Sequence, residues 1–247
     1  MLQKYYKRWM LIVAIPAWVG VGFYAAQAIT FGLAWVIIKF GVPIESINQA
    51  VLDTVVSAFI YLVTLLIVIG MPWLIKKYRT NTSEIGLTGL PTWTDIFLAP
   101  AGFIVYIIIS AILIMVATKF LPGFNIDQIQ DVGFNQISKR YEFILAFISL
   151  VIIVPVAEEI LFRGFLFGKL KRIIPIWAAV LITSALFGFL HGSWNVGIDT
   201  FALSIVLCLL RQFTGSLWAS ILLHMMKNGI AFYFLFINPA IFDTIIR

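Results

Sequence analysis

Seven stretches of this chain are apolar enough to be membrane spans, and they constrain its fold more than any other feature. A spanning helix needs about 20 mostly apolar residues. Such stretches fall near residues 9–38, 51–75, 96–119, 143–168, 174–191, 197–213 and 216–237. The sequence therefore predicts an all-α fold, a polytopic transmembrane helical bundle of about seven spans. The sixth stretch has a short strongly apolar part, FALSIVLCLL, and is expected to tilt or re-enter rather than cross squarely.

Composition agrees. Only 11% of the residues are charged, against about a quarter in soluble domains. The net charge of +6 would suit a nucleic-acid partner, but the basic residues sit in short clusters between apolar runs. The positive-inside rule and anionic lipid account for those clusters, and no soluble basic face remains to hold nucleic acid. The bilayer itself is the expected partner. Cys208 is the single cysteine, which excludes an internal disulfide.

Lys4, Lys7 and Arg8 before an apolar run, with Ala26-Gln27-Ala28 after it, imitate a signal peptide and its cleavage site. The run continues through ITFGLAWVII, well beyond a signal-peptide core, so a retained first span is expected. No internal repeat is visible. The loop LPGFNIDQIQDVGFNQISKR separates three leading spans from four that hold the intramembrane titratable residues of interest. On that division residues 1–125 are accessory N-terminal helices and 140–238 a functional core.

The stretch VPVAEEILFRGFLFG places Glu158, Glu159 and Arg163 inside a span. Each charge at the bilayer centre costs about 2.5–3.5 kcal/mol on insertion scales, so partners are required. Glu159 and Arg163 are spaced i, i+4 with the acid first, the favourable order for an ion pair on one helix face. Glu158 points about 100° away and lacks that partner. Spacing thus makes Glu159 and Arg163 a structural pair and Glu158 the free carboxylate. A charge cluster that locks helices together explains one acid and one arginine; the second acid points to chemistry. Pro155, a turn earlier, removes a backbone hydrogen bond beside the acids and is expected to kink the helix.

The chain has two histidines, His191 and His224, both in the later spans, and Asn228 shares a helix face with His224 at i+4. Counted at about 1.5 Å per residue, Glu158, His224 and Asn228 lie about 12–18 Å from the cytoplasmic ends of their spans and His191 about 25 Å, which allows one site in the membrane interior. Lys227 falls in the same zone, where it either lines a wet cavity or snorkels toward the cytoplasm.

These residues resemble the marks of a known family. EEILFR matches an EExxxR motif, Phe187 through His191 an FxxxH motif, and His224 through Asn228 an HxxxN motif, in order on successive helices. The ordered set resembles the CPBP intramembrane proteases, which include type II CAAX prenyl endopeptidases and bacteriocin-processing or immunity-associated relatives. The resemblance covers about residues 140–238 and implies a membrane endopeptidase. In it Glu158 and His191 activate water, while His224 and Asn228 stabilise the oxyanion. Its substrate would be a membrane-associated peptide or protein, lipidated or not. No cofactor is favoured; zinc held by Glu158, His191 and His224 is the alternative, although the helical HExxH pattern is absent. Two rivals are a catalytically idle scaffold or immunity protein of the same family and a proton-coupled transporter, since intramembrane acids and histidines also form proton relays.

Orientation follows from the basic residues. With the N-terminus cytoplasmic, Lys4, Lys7, Arg8, Lys76, Lys77, Arg79, Lys169, Lys171, Arg172 and Arg211 face the cytoplasm, and Lys39, Lys119, Lys139, Arg140 and Arg247 face out. This distribution favours the N-terminus inside. It predicts that a single cysteine at Ser216, with Cys208 replaced, reacts with a membrane-impermeant thiol reagent only in inside-out vesicles. Cysteine at Asn125 is expected to show the opposite preference, and reversed labels would reverse the topology.

Overall fold

The computed structural model describes residues 2–74, 79–126, 133–134 and 137–239, with backbone alone for 2–8. Lys76, Lys77 and Arg247 of the charge count lie outside the described residues, as do the side chains of Lys4, Lys7 and Arg8. Among the described residues all regular structure is helical. The elements are α1 (Leu2–Lys39), α2 (Gln49–Leu74), α3 (Thr82–Ile85), α4 (Trp93–Phe120), α5 (Arg140–Leu170), α6 (Ile176–Phe189), α7 (Trp194–Thr214) and α8 (Trp218–Ile237).

Six of these helices are long and apolar enough to cross a membrane, and the chain is a multi-pass integral membrane protein. The seventh expected span, near 174–191, is the short one: α6 has 14 residues, about 21 Å of rise against a hydrocarbon core of about 30 Å. The stretch 197–213, expected to tilt or re-enter, belongs to a longer helix, since α7 runs for 21 residues and is long enough to cross. Polar Asn195 and Asp199 hide α7's first turns from an apolar-run count, yet they lie within the helix.

Caps join the helix starts. Asn48 caps α2, its Oδ1 accepting from the N–H groups of Ala50 (3.0 Å) and Val51 (3.4 Å). Glu142 in the first turn of α5 accepts from the N–H groups of Ser138 (2.7 Å) and Lys139 (2.8 Å) through Oε2. Its other oxygen, Oε1, accepts from Asn48 Nδ2 at 2.7 Å. The two helices therefore start side by side and run in the same direction.

Helix α5 is not uniform. Wide π turns at Ile148–Ile153 and Ile160–Phe167 flank an α segment, Val154–Glu159. Wide turns of this kind recur at functional sites. Around α5 sits the main core, where Val19, Val68, Leu161, Leu166, Phe187 and Cys208 bring five helices together. A second core, with Tyr106, Leu203, Leu207 and Leu223, joins α4, α7 and α8.

The connection before α4 is held by Arg211. Its guanidinium donates to the carbonyls of Glu84 (3.0 Å), Ile85 (3.2 Å) and Gly215 (2.6 Å), which satisfies the last carbonyls of α3. Gly86 follows with φ 94°, and a Cβ there would lie 2.6 Å from Arg211 Cζ, so this position requires glycine. Arg211 is thus a buried clamp as well as part of the charge count.

Helices α6 and α7 cross at a pair of glycines. A Cβ on Gly188 would lie 2.5 Å from the Gly197 carbonyl oxygen and 3.2 Å from Phe201 Cβ. Such small-residue contacts let membrane helices approach closely. Gly188→Ala is expected to cost about 1–3 kcal/mol through overpacking, read as a lower thermal midpoint in detergent. An unchanged midpoint would show that the crossing has slack.

Candidate active site

The centre of the site is the Glu159 carboxylate, which is wholly buried. Its Oε1 accepts from Arg163 Nη1 at 2.8 Å and from His224 Nδ1 at 2.8 Å. The i, i+4 pair expected from spacing is present. The structure adds what spacing on one helix does not reach: the same oxygen holds a histidine from α8. Because a carboxylate only accepts, His224 Nδ1 carries the proton, and Nε2 is turned toward Glu158, 3.6 Å from Oε2.

Arg163 is also wholly buried. Its guanidinium lies over the Phe187 ring, 4.4 Å from the centroid, a cation–π contact that offsets part of the cost of burial. The Phe187 ring also packs edge-on against His191 (4.8 Å), His224 (5.9 Å) and Phe162 (4.8 Å). The phenylalanine of the FxxxH motif is thus the packing hub between both histidines and the ion pair.

His191 follows the end of α6. There the backbone N–H of His191 bonds to Gly188 O at 3.2 Å rather than to Phe187 O, which leaves the Phe187 carbonyl short of its helical partner. The His191 ring fills the gap, Nδ1 to Phe187 O at 2.7 Å. A carbonyl only accepts, so Nδ1 is again the protonated nitrogen and Nε2 is the one left for chemistry.

Asn228 answers a similar vacancy in α5. In the wide turn before Val154 the bonds skip to the fifth residue: the N–H of Val154 reaches Ser149 O. In that register the carbonyl of Leu150 would need the N–H of residue 155, which is Pro155 and has none. Asn228 Nδ2 donates to Leu150 O at 2.9 Å. One amide hydrogen is thereby used, and a second remains on the same nitrogen. The kink expected at Pro155 is expressed as this wide turn.

Glu158, His191, His224 and Asn228 line one cavity of about 480 Å3. Apolar side chains of α4, α5 and α8, including Ile114, Leu150, Val154 and Phe232, form much of its wall. A smaller cavity of about 140 Å3 shares Tyr61, Glu158 and His191 with it.

Two residues of the site were not singled out from the sequence. Tyr61 of α2 donates a short hydrogen bond from its hydroxyl to Glu158 Oε1, so the carboxylate described as free has a partner from another helix. Asp199 of α7 lines the large cavity, its Oδ1 accepting from Tyr106 (2.6 Å) and Ser110 (2.7 Å). Its Oδ2 lies 3.5 Å from Lys227 Nζ, which places Lys227 on the cavity wall rather than snorkelling out. The available signals were an intramembrane acid and two hydroxyls at i, i+4 on α4. For Tyr61 no same-helix spacing gives notice.

Zinc held by Glu158, His191 and His224 is the alternative reading of the site. Among the described residues no three His, Cys, Asp or Glu side chains form a group able to hold a metal ion. Glu158 Oε1 is engaged with Tyr61, and Oε2 is the oxygen that faces His224.

Comparison with known proteins bears on the segment that holds the motifs. Residues 140–230 match the Rce1-like type II CAAX prenyl endopeptidase family. Over this segment the chain resembles the CPBP proteases, the family its motifs suggested. A curated relative, the membrane-embedded CAAX protease MroQ of Staphylococcus aureus strain USA300, is 27% identical over 149 residues. That alignment covers 56% of this chain and 57% of the relative, so the chain spans little more than half the relative's length. No solved structure matches significantly. At family level the comparisons support a membrane protease, and they match the segment that carries all three motifs.

Removing Arg163 leaves the Glu159 carboxylate buried and short of its cation, at a cost of about 3–5 kcal/mol. Arg163→Met is expected to lower accumulation in membranes strongly, and the double variant Arg163→Met/Glu159→Leu to recover part of it, as quantitative immunoblots would show. A double variant as poor as the single would assign the loss to cation–π packing instead.

Proposed function

We propose that this protein is an intramembrane endopeptidase that hydrolyses a peptide bond of a membrane-associated protein or peptide. The observation that carries this reading is the convergence of Glu158 with His191, His224 and Asn228 on one cavity, both histidines having Nδ1 committed elsewhere.

In this reading a water molecule lies between Glu158 and Nε2 of His191. Glu158 takes its proton as the oxygen adds to the scissile carbonyl. The carbonyl oxygen becomes an oxyanion, facing Asn228 Nδ2–H and, when His224 carries both ring protons, His224 Nε2–H. Collapse of the tetrahedral species breaks the C–N bond, and the proton held by Glu158 passes to the leaving nitrogen. Glu159 and Arg163 take no part in bond making; they fix the His224 ring. With the N-terminus cytoplasmic, the helix ends that line the cavity, at Phe124, Ile126, Asn195 and Phe236, would lie on the outer side, so the cavity would admit substrates from that side, and the cytoplasmic leaflet only if the topology is reversed.

Glu158→Gln is expected to abolish cleavage while membrane accumulation stays near wild type, because the uncharged amide still accepts from Tyr61. Comparing membrane peptides of cells with wild-type protein and with Glu158→Gln would reveal uncleaved precursors. An unchanged profile would favour the idle-scaffold reading, and proton-coupled uptake in proteoliposomes the transporter. Cleavage by purified protein is expected to survive a strong chelator; loss restored by zinc would make His224 a ligand.

A further inference from the structure

We infer that Tyr61, which lies outside the family-matched segment, is a positioning residue for Glu158 and selects which carboxylate oxygen does the chemistry. This rests on the proposed role of Glu158 as the base. A glutamate side chain can turn about its last bond and exchange its two oxygens. Here Oε1 is held by the Tyr61 hydroxyl, and Oε2 faces His224 Nε2 at 3.6 Å. A hydrogen bond to an ionised carboxylate is shorter and stronger than one between neutral groups. With Oε1 tethered, Oε2 is the oxygen presented to the proton of the water and to the histidine side of the cavity.

The hydroxyl is aimed by structure remote from the site. Asn48 and Glu142 tie the starts of α2 and α5 together at 2.7 Å, and the two helices then rise in the same direction. Tyr61 comes 13 residues after Asn48 and Glu158 16 residues after Glu142. The wide turn at Ile148–Ile153 carries more residues per unit of rise, which lets the longer stretch of α5 reach a similar height. Tyr61 shares its helix face with the buried Thr64 and Val68, and its ring meets Phe23 at 6.2 Å. The tyrosine therefore cannot swing freely away from the carboxylate. A buried glutamate needs hydrogen bonds for stability alone, so the test must separate positioning from satisfaction.

The test uses the full chain purified in detergent. Its probes are an internally quenched farnesylated peptide ending in cysteine, two aliphatic residues and a variable residue, and the same peptide without the lipid. Tyr61→Phe keeps the ring and removes the hydroxyl. It is expected to lower kcat about tenfold to a hundredfold, the worth of one hydrogen bond to a charged group, while KM stays within about twofold. Thr64→Val, on the same face of α2, removes a hydroxyl that among the described residues bonds only to Ile60 O of its own helix and is expected to leave both constants unchanged. If Tyr61→Phe turns over at the wild-type rate while Glu158→Gln is inactive, the positioning role is wrong and the functional reading stands. If Glu158→Gln is as active as wild type, or wild type cleaves neither probe, the functional reading falls and takes this role with it. A loss in Tyr61→Phe that Thr64→Val shares, or that comes with a raised KM or a lower thermal midpoint, would make Tyr61 a packing residue only.

Discussion

One oxygen atom, Oε1 of Glu159, organises this half of the molecule. It receives a guanidinium from its own helix and an imidazole from α8, with all three side chains buried. An ion pair buried this deeply is weak evidence for stability, since apolar residues of similar size often do as well. What it supplies is direction. The arginine fixes the carboxylate, the carboxylate fixes one ring nitrogen of His224, and the other nitrogen is left toward Glu158. Phe187 then transmits the same constraint to His191, because its ring touches the guanidinium and both imidazoles.

The recurring device around this centre is the orphaned carbonyl. A helix interior offers no spare acceptors, and one departure from α geometry in α5 and one at the end of α6 each release one. The Leu150 carbonyl, deprived of a donor by Pro155, is met by Asn228; the Phe187 carbonyl, at the end of α6, is met by His191. In both cases a motif residue completes the backbone with one of its atoms and keeps another for the cavity. Residue types that both donate and accept in more than one direction are suited to this double duty, which is why an amide and an imidazole stand there.

Much of this was legible in the sequence, and the boundary of legibility has a physical cause. Apolar run length gave the spans, and helical spacing separated Glu158 from the Glu159 and Arg163 pair, because both depend on residues near one another in the chain. The order of the motifs then sufficed to group the later helices. Spacing within one helix says nothing about what a neighbouring helix brings, so Tyr61 beside Glu158, His224 on Glu159 and Asp199 on Lys227 stayed hidden. The understated length of α7 has a related cause: Asn195 and Asp199 depress an apolar count over α7 although they face protein and cavity rather than lipid.

The bond between Asn48 and Glu142 bears on how this molecule can be divided. It lies at the mouths of two helices, far in sequence from the motifs, and joins a residue ahead of the family-matched stretch to the first turn of that stretch. Residues 140–238 contain every motif, yet the register that brings α2 alongside the carboxylate is set from outside them. The division into leading helices and motif segment therefore runs across a hydrogen bond that ties the two together. Grafted onto another membrane protein, the motif segment would keep all its motif residues and lose both the partner of Glu142 and the partner of Glu158.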